Sequence, residues 1–249
     1  MKSGGICRKM ATSGETTPEL SAIVLCYRAG EHARDVVEPL RRELLESGVR
    51  FELVLVGNYD ADDDPTPGVV RVLAADHPEV RSVVMRKGGG MGWDMRSGFD
   101  AARGEIMIAI DGDAQNPTED VLRMFREMRS SGAEVMKGRR VTRLDSAYRR
   151  MLTRVYNFLF RLMFGTRGLA DINGKPKGLT RGAYQRLEPL ESDDWFIDAE
   201  IVIRARREEL AIRELPVTFR ENDQRSSFVR PRAIWEFVVN MLRYRWRRR

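Results

Sequence analysis

The middle of the chain contains the stretch Ile106-Met107-Ile108-Ala109-Ile110-Asp111-Gly112-Asp113-Ala114-Gln115-Asn116-Pro117. Its first five residues are apolar and include three isoleucines, which predicts a short buried strand. The glycine, asparagine and proline that follow are typical of the turn that ends a strand. Open α/β sheets bind ligands at the carboxyl ends of their strands, so we expect Asp111 and Asp113 to lie at such an edge.

The polar side chains of this loop have the chemistry of a metal site. Carboxylate oxygens suit Mg²⁺ or Mn²⁺, and Mg²⁺ is usually held by one or two carboxylates together with substrate phosphates. Asp111 and Asp113 would supply the carboxylates, and Gln115 a neutral oxygen. A solvated Asp-Gly turn without a ligand is the alternative interpretation of the same residues.

Strand-like and helix-like segments alternate on both sides of this loop. Strands are predicted at residues 21–27, 51–56, 69–73, 80–85, 133–136 and 212–219, and helices at 35–47, 88–102, 118–130, 148–164, from 193–200 to about 207, and 231–245. This alternation predicts a mainly parallel sheet covered by helices on both faces. Pro216 indicates an edge strand or a bulge. The G-x-G-x-x-G turn and the G-x-x-x-x-G-K-[ST] loop are both missing from their expected places, which excludes the usual dinucleotide and P-loop sites.

Length and composition limit the class of protein. The chain has 249 residues, of which 42% are hydrophobic and 32% charged, and this suffices for a sizeable core. No apolar run reaches the roughly 18–20 residues that span a bilayer. Residues 1–20 lack the apolar centre of a signal peptide and are expected to be a disordered leader. Two cysteines are too few for a disulfide framework, which favours a cytoplasmic location.

Positive charge is concentrated at the carboxyl terminus. From Arg220 onward there are nine arginines and three acidic residues, which accounts for the whole net charge of +6. Residues 229–249 are expected to form a basic amphipathic helix and tail. Residues 148–164 predict an apolar helix with interleaved arginines, which fits a peripheral helix at a membrane surface or an ordinary core helix. Together these features favour a membrane surface as a partner and disfavour nucleic acid.

Several motifs together resemble family-two glycosyltransferases of the A-type fold, and within them the dolichyl- or polyprenyl-phosphate sugar synthases. Residues 111–117 are similar to the D-x-D-x-Q-[HN]-P signature of that subgroup, and residues 88–104 resemble its glycine-containing segment. Three further elements of the family have counterparts here: its G-S-R element resembles Gly138-Arg139-Arg140, its D-x-x-G segment resembles Asp171-Ile172-Asn173-Gly174, and its acidic pair resembles Asp198-Ala199-Glu200. Its P-V strand resembles Leu215-Pro216-Val217, and the phosphate-contacting loop that follows this strand resembles Arg225-Ser226-Ser227. The resemblance covers residues 21–228, which would form the catalytic domain.

The resemblance implies an inverting, metal-dependent transfer of a sugar from a nucleotide-diphosphate sugar to a polyprenyl (dolichyl-type) phosphate, at the cytoplasmic face of the membrane. The metal ligands would be Asp111, Asp113 and Gln115, and the cofactor Mg²⁺ or Mn²⁺. The catalytic residues would be Asp113, Asp171 and Asp198. The nucleotide sugar would contact Asn58, Asp60, Gly88, Asp111 and Asp113. The acceptor phosphate would contact Arg139, Arg140, Lys175, Arg225 and Ser226.

One segment departs from the pattern of this family. V-D-D-G-S is usual after the second strand, where the first carboxylate contacts the nucleotide base. Here the segment is Val56-Gly57-Asn58-Tyr59-Asp60, so Asn58 or Asp60 would have to make that contact.

Two other functions stay open on the sequence. A soluble glycosyltransferase with a sugar or small-molecule hydroxyl as acceptor would need a general base, for which Asp171 and Asp198 are the candidates. A non-catalytic basic module that binds a membrane or RNA would keep the fold without turnover.

Overall fold

The computed structural model describes residues 17–143, 147–166, 168–220 and 231–246. Within these residues the strands are β1 (Leu20–Leu25), β2 (Phe51–Val56), β3 (Val80–Val83), β4 (Ile106–Asp111), β5 (Val135–Arg143), β6 (Lys177–Thr180) and β7 (Ile212–Phe219). The helices are α1 (Ala33–Glu46), α2 (Thr66–Asp76), α3 (Met91–Ala101), α4 (Glu119–Ser131), α5 (Ala147–Phe164), α6 (Arg181–Leu187), α7 (Ile197–Arg207) and α8 (Pro231–Trp246). Most of the expected leader, residues 1–16, lies outside the described part of the chain.

The strands form one sheet in the order β3-β2-β1-β4-β6-β5-β7. Neighbouring strands are parallel except for β6, which runs antiparallel to both β4 and β5. The carboxyl ends of the six parallel strands therefore lie at one edge of the sheet, and the first residue of β6 lies there too. We call this the carboxyl edge. The strand order changes direction between β1 and β4, the point at which such sheets bind their ligands.

Helices cover both faces of the sheet, which confirms the predicted fold class. Alternate residues of β1 point to opposite faces, so that Leu20 and Val24 pack with α1, α2 and α4, whereas Ile23 packs with α3, α6 and α7. β1 and β4 are buried along nearly their whole length, as expected for central strands of a parallel sheet. The apolar run that leads to Asp111 is therefore a central strand of the core.

One predicted strand is a helix. Residues 69–73 belong to α2, whose buried side chains include Val69, Val70 and Leu73. The separations of three and four residues between them are those of a helix face. The strand prediction was wrong because a short apolar run does not distinguish the two periods. β6 and α6 were not predicted, since residues 177–187 show neither period clearly.

β7 lies at the edge of the sheet beside β5, as Pro216 indicated. The pairing of β5 with β7 shifts register between Arg140 and Thr142, next to Pro216 and Val217. Proline lacks the amide hydrogen that a central strand would need, so an edge position with an irregular partner accommodates it.

Helix α5 has two different apolar faces. Phe160 is fully buried in a cluster with Ile172, Phe196 and Met241 of α8. On another side, Met151, Val155, Phe158 and Leu162 have exposed fractions between 50 and 73%. They follow one another at four, three and four residues and therefore form one stripe along the helix. None of the described helices is long and apolar enough to cross a membrane.

Candidate active site

The Asp111–Gln115 loop begins where β4 ends, at the carboxyl edge. The Gly112 amide donates to the Leu25 carbonyl at 2.9 Å, and a Cβ at position 112 would lie 2.8 Å from the same oxygen. Only glycine therefore allows the loop to lie this close to the end of β1. Beyond it, Asp113 Oδ1 accepts from the Gln115 amide at 3.0 Å. Asp111 is the last residue of β4 and Asp113 follows it, so both lie at this edge as expected, and both are partly exposed.

Gln115 connects this loop to the end of β7. Its Nε2 donates to the Arg220 carbonyl at 3.2 Å, and the Arg220 amide donates to the Gln115 carbonyl at 2.9 Å. The chain that continues into residues 221–230 therefore starts beside the Asp111–Gln115 loop. The predicted acceptor contacts Arg225 and Ser226 lie in that segment, outside the described residues.

Lys175 brings a buried ammonium to the same loop. Its Nζ lies 3.0 Å from Asp111 Oδ1, and its side chain is only 5% exposed. Burial disfavours the charged form, but the carboxylates of Asp111, Asp198 and Asp113 outweigh it and raise the pKa of Lys175. The sequence assigned Lys175 to the acceptor phosphate, whereas the structure places it against a predicted metal ligand.

Two glycines allow Lys175 to reach this position. A Cβ at Gly174 would lie 1.8 Å from the Gly138 carbonyl oxygen, and one at Gly138 would lie 2.3 Å from the Lys175 oxygen. The Gly138 amide also donates to the Pro176 carbonyl at 2.8 Å. The segment before β6 therefore packs directly on the backbone of β5, which fixes the direction of the lysine.

Asp198, in the first turn of α7, completes the group. Its Oδ1 lies 2.5 Å from Lys177 Nζ, and both side chains are almost fully buried. Burial lowers the pKa of Lys177 to about 8, and the charge of Asp198 opposes this shift. We call Asp111, Asp113, Asp198, Lys175 and Lys177 the acidic corner. It contains three carboxylates and two ammonium groups.

Asp171 is occupied by Arg140. Arg140 Nε and a terminal nitrogen donate to the two carboxylate oxygens at 2.6 and 2.7 Å. Burial opposes ionisation of Asp171, but the hydrogen bonds and charge of Arg140 outweigh it and lower the pKa of the carboxyl. A carboxylate held in this way is a poor proton acceptor, so the pairing favours a structural role for Asp171 and Arg140 over the predicted catalytic and acceptor-binding roles, which stay predictions. Arg139, the next residue along β5, is exposed.

A second polar group lies at the ends of β1, β2 and β3. Asp60 is 43% exposed and accepts from the Tyr27 hydroxyl at 2.9 Å and from Arg28 at 3.0 Å. Desolvation opposes its ionisation, but these hydrogen bonds outweigh it and lower the pKa of Asp60. Lys87 lies 3.9 Å from the centre of the Tyr27 ring. We call Tyr27, Arg28, Asp60 and Lys87 the base-side group.

Asn58 is a buried structural residue. Its Nδ2 donates to Asp94 Oδ1 at 3.0 Å, and its Oδ1 accepts from the Met85 amide at 3.0 Å. The side chain is fully buried, so the predicted contact between Asn58 and a nucleotide base is not available in this arrangement. The sequence left Asn58 and Asp60 open as contacts of the nucleotide base, and of these two only Asp60 has an exposed side chain.

The sequence analysis missed three residues of the base-side group. Tyr27 and Arg28 directly follow β1, and Lys87 follows β3, so their position after parallel strands was the available signal. Lys87 also forms an ion pair with the buried Asp94, whose pKa is raised mainly by burial. This pair fixes the lysine over the Tyr27 ring.

Residues 21–187 match the sequence model of the family described as Glycosyl transferase family 2. The chain belongs to glycosyl transferase family 2. Among its relatives is Glycosyltransferase AglD from Haloferax volcanii, with 27% identity over 218 residues, or 84% of this chain and 34% of the relative. Another is an undecaprenyl-phosphate 4-deoxy-4-formamido-L-arabinose transferase from Pseudomonas aeruginosa, with 30% identity over 139 residues, or 55% of this chain and 40% of the relative. The chain thus spans well under half the length of either protein.

Solved structures agree on the fold of this family member. Glucosyl-3-phosphoglycerate synthase from Mycobacterium tuberculosis, in complex with Mn²⁺, uridine diphosphate and glucosyl-3-phosphoglycerate, superimposes with a TM-score of 0.69. The sequences are 15% identical, and the match covers 92% of this chain and 80% of the synthase. Another structure of that synthase contains Mg²⁺ and uridine diphosphate and gives a TM-score of 0.66.

Glycines before and within the first turn of α3 in this family 2 chain have a packing role. A Cβ at Gly88 would lie 3.0 Å from the Trp93 ring, and one at Gly92 would lie 2.3 Å from the Ser192 carbonyl oxygen. These contacts bring the start of α3 against the loop that precedes α7. The predicted contact of Gly88 with the nucleotide sugar stays a prediction.

The donor set of the acidic corner fits a divalent cation through two protein ligands. Among the residues that the structure describes, no group of three or more His, Cys, Asp or Glu side chains could hold a metal ion. The Asp198 side chain is almost fully buried against Lys177, whereas Asp111 and Asp113 have partly exposed side chains that a cation can approach. Two carboxylates completed by phosphate oxygens and water are the usual environment of Mg²⁺.

Proposed function

We propose that this family 2 protein transfers a sugar from a nucleotide-diphosphate sugar to a polyprenyl phosphate, with inversion at the anomeric carbon. The acidic corner at the carboxyl edge is the observation that carries the proposal. It combines two accessible carboxylates with buried lysines beside the change in strand order, where a diphosphate can bind. The relative named as an undecaprenyl-phosphate transferase supports the choice of acceptor.

Asp111 and Asp113 would hold Mg²⁺ or Mn²⁺, and the side chain of Gln115 lies on the same loop. When bound, such a cation stabilises the negative charge that develops on a departing diphosphate. Solved structures of the same fold with Mn²⁺ or Mg²⁺ and uridine diphosphate support this cofactor. Lys175 would add a fixed positive charge beside the same phosphates.

The base-side group would bind the nucleotide base. The Asp60 carboxylate can accept a hydrogen bond from a base N–H, and the Arg28 guanidinium can donate to a base carbonyl. The Tyr27 ring and the Lys87 ammonium above it form the neighbouring surface. The base therefore lies over β1 and β2, and the diphosphate over β4.

A lipid phosphate acceptor requires no general base. It is already ionised near neutral pH, so the protein has to bring two anions together and orient them. The exposed Arg139 and the predicted contacts Arg225 and Ser226 would bind it, since arginine can donate two parallel hydrogen bonds to phosphate. Asp198 would act as the base only if the acceptor were a hydroxyl group.

The exposed stripe of α5 would dock on the inner face of the membrane. Its apolar side chains, Met151, Val155, Phe158 and Leu162, have arginines between them, and guanidinium groups pair with lipid phosphates. Trp246 at the end of α8 is 78% exposed and suits an interfacial position. Peripheral docking of this kind would present the carboxyl edge to a polyprenyl phosphate.

Sugar transfer is tested with labelled nucleotide sugars, Mn²⁺ and undecaprenyl phosphate, by counting label in the organic phase. We expect transfer by the wild type and a loss of at least about a hundredfold in Asp113→Ala. Asp63→Ala, which removes an exposed carboxylate from another loop, is the matched control and should retain activity. Label that leaves the nucleotide sugar but stays in the aqueous phase, when sugars or small hydroxyl compounds are supplied in place of the lipid, would favour a hydroxyl acceptor. Salt-sensitive RNA binding without turnover would favour the non-catalytic module.

Membrane docking is tested by flotation with vesicles of phosphatidylcholine containing 30% phosphatidylglycerol (roughly the anionic share at which basic segments bind). We expect the wild type to float and Phe158→Asp/Leu162→Asp to remain at the bottom. Val72→Asp, at an exposed apolar position of α2, should float like the wild type. Equal flotation of all three proteins would contradict docking through α5.

A further inference from the structure

Lys175 occupies a position that stability alone does not explain. Its ammonium is buried at 5% exposure and contacts Asp111 Oδ1 and Met91 Sδ, at 3.0 and 2.9 Å. A buried ion pair gains little net stability, because both charges lose their hydration. The packing of Gly174 on Gly138 nevertheless holds the lysine there.

The charge balance of the acidic corner depends on this lysine. Three carboxylates face two ammonium groups, and Lys177 is paired with Asp198. Of these two ammonium groups, Lys175 is the one that contacts Asp111, and it is also attracted by Asp198 and Asp113. With Lys175 the corner carries one net negative charge, and without it two.

We propose that Lys175 is a positioning residue that links metal binding to nucleotide binding in this site. Its ammonium holds Asp111 and weakens the attraction of the corner for a divalent cation, so that the cation binds firmly only together with a diphosphate. The same ammonium attracts the diphosphate. The inference rests on the proposed function for the identity of these two ligands, but its test needs neither sugar nor acceptor.

Removing the charge should shift the two affinities in opposite directions. In Lys175→Met we expect Mn²⁺ alone to bind at least about tenfold more tightly, because a unit charge about 6 Å from a divalent ion has roughly this effect at the dielectric constant of water and a larger one in a partly buried site. Uridine diphosphate or guanosine diphosphate, measured in EDTA, should bind about tenfold more weakly for the same reason. A purely structural lysine would not produce opposite shifts.

The affinities are measured by electron paramagnetic resonance of free Mn²⁺ and by calorimetry with each nucleotide. Lys175→Arg keeps the charge and should stay near the wild type in both titrations. Arg186→Met is the matched control for a lost positive charge, since it lies in α6, which begins beside the opposite edge of the sheet. Lys175→Gln replaces Lys175→Met if the latter does not fold, because it keeps a donor for Asp111.

Folded Lys175→Met or Lys175→Gln that binds Mn²⁺ no more tightly than the wild type would overturn the inference. So would a variant in which both affinities fall together. The proposed function is tested separately: if sugar transfer occurs but the Mn²⁺ affinity does not change, only the role of Lys175 is refuted. If no donor is turned over and the opposite shifts are observed, the role of Lys175 stands and the transfer reaction does not.

Discussion

Asp171→Asn separates a structural role of Asp171 from a catalytic one. The substitution keeps the size of the side chain but removes the charge that faces Arg140. Asparagine can accept only one of the two short hydrogen bonds, at 2.6 and 2.7 Å, that the guanidinium now donates. The Arg140 side chain, 15% exposed, would lose its two-point pairing with this carboxylate.

The expected cost follows from the burial of the pair. Removing one partner of a buried ion pair usually costs about 3–5 kcal/mol. Arg140 retains some exposure and lies 5.4 Å from the centre of the Phe219 ring, so we expect the lower end, about 3 kcal/mol. With a urea m-value of about 3 kcal/mol/M for a chain of this length, the unfolding midpoint should fall by about 1 M.

Urea unfolding followed by circular dichroism measures this change, and sugar transfer is assayed on the same preparations. Adding Arg140→Met to Asp171→Asn should restore most of the lost stability, because the guanidinium that the Asp171 carboxylate pairs with is removed as well. Turnover of folded Asp171→Asn should stay within about tenfold of the wild type, since a lipid phosphate needs no base. A midpoint within about 0.2 M of the wild type together with lost turnover would refute the structural role.

Three further outcomes are expected. Gly174→Ala should prevent normal folding, because the added Cβ would lie 1.8 Å from the Gly138 carbonyl oxygen. Gly182→Ala is the control, since a Cβ at that position would meet no atom within 4 Å. It should change the free energy of unfolding by less than about 1 kcal/mol in the same urea titration. Asp60→Asn should weaken nucleotide binding about tenfold in calorimetry, since a charged acceptor is lost, and an unchanged affinity would exclude Asp60 from the base contact. The stabilisation by Asp171 should be complete above the pKa of about 3.9 that an aspartate has in the unfolded chain, and it should be lost as the pH falls through the lowered pKa of the folded state. The difference in the free energy of unfolding between the wild type and Asp171→Asn should therefore disappear in acid.

Local sequence signals identified the centre of the fold and the loop at its edge. The apolar run before Asp111 is buried on both faces, and the Gly112 between the two carboxylates is required by its contact with Leu25. The burial of the run and the turn that follows it depend on residues adjacent in the chain, so composition and spacing were sufficient to predict them, whereas the contact of Gly112 with Leu25 became visible only in the structure. The position of β7 was also accessible, because Pro216 lacks an amide hydrogen.

Contacts between distant segments could not be predicted in the same way. Arg140 and Asp171 are 31 residues apart, and their pairing depends on β6 running opposite to its neighbours. The same reversal places Lys175, just before β6, against the end of β4. Asn58 likewise looked like a ligand contact from its position after β2, although it is used inside the core. Side-chain partners of this kind follow from topology, which periodicity does not specify.

The pair of hydrogen bonds between Gln115 and Arg220 has a kinetic consequence. Any ligand that displaces the Asp111–Gln115 loop would also displace Arg220, the residue directly before segment 221–230. In the proposed mechanism the loop serves the donor and that segment contains the predicted acceptor contacts Arg225 and Ser226, so occupation of one substrate site should alter the other. We therefore expect an ordered sequence of addition, with the nucleotide sugar first, and product-inhibition patterns would reveal it.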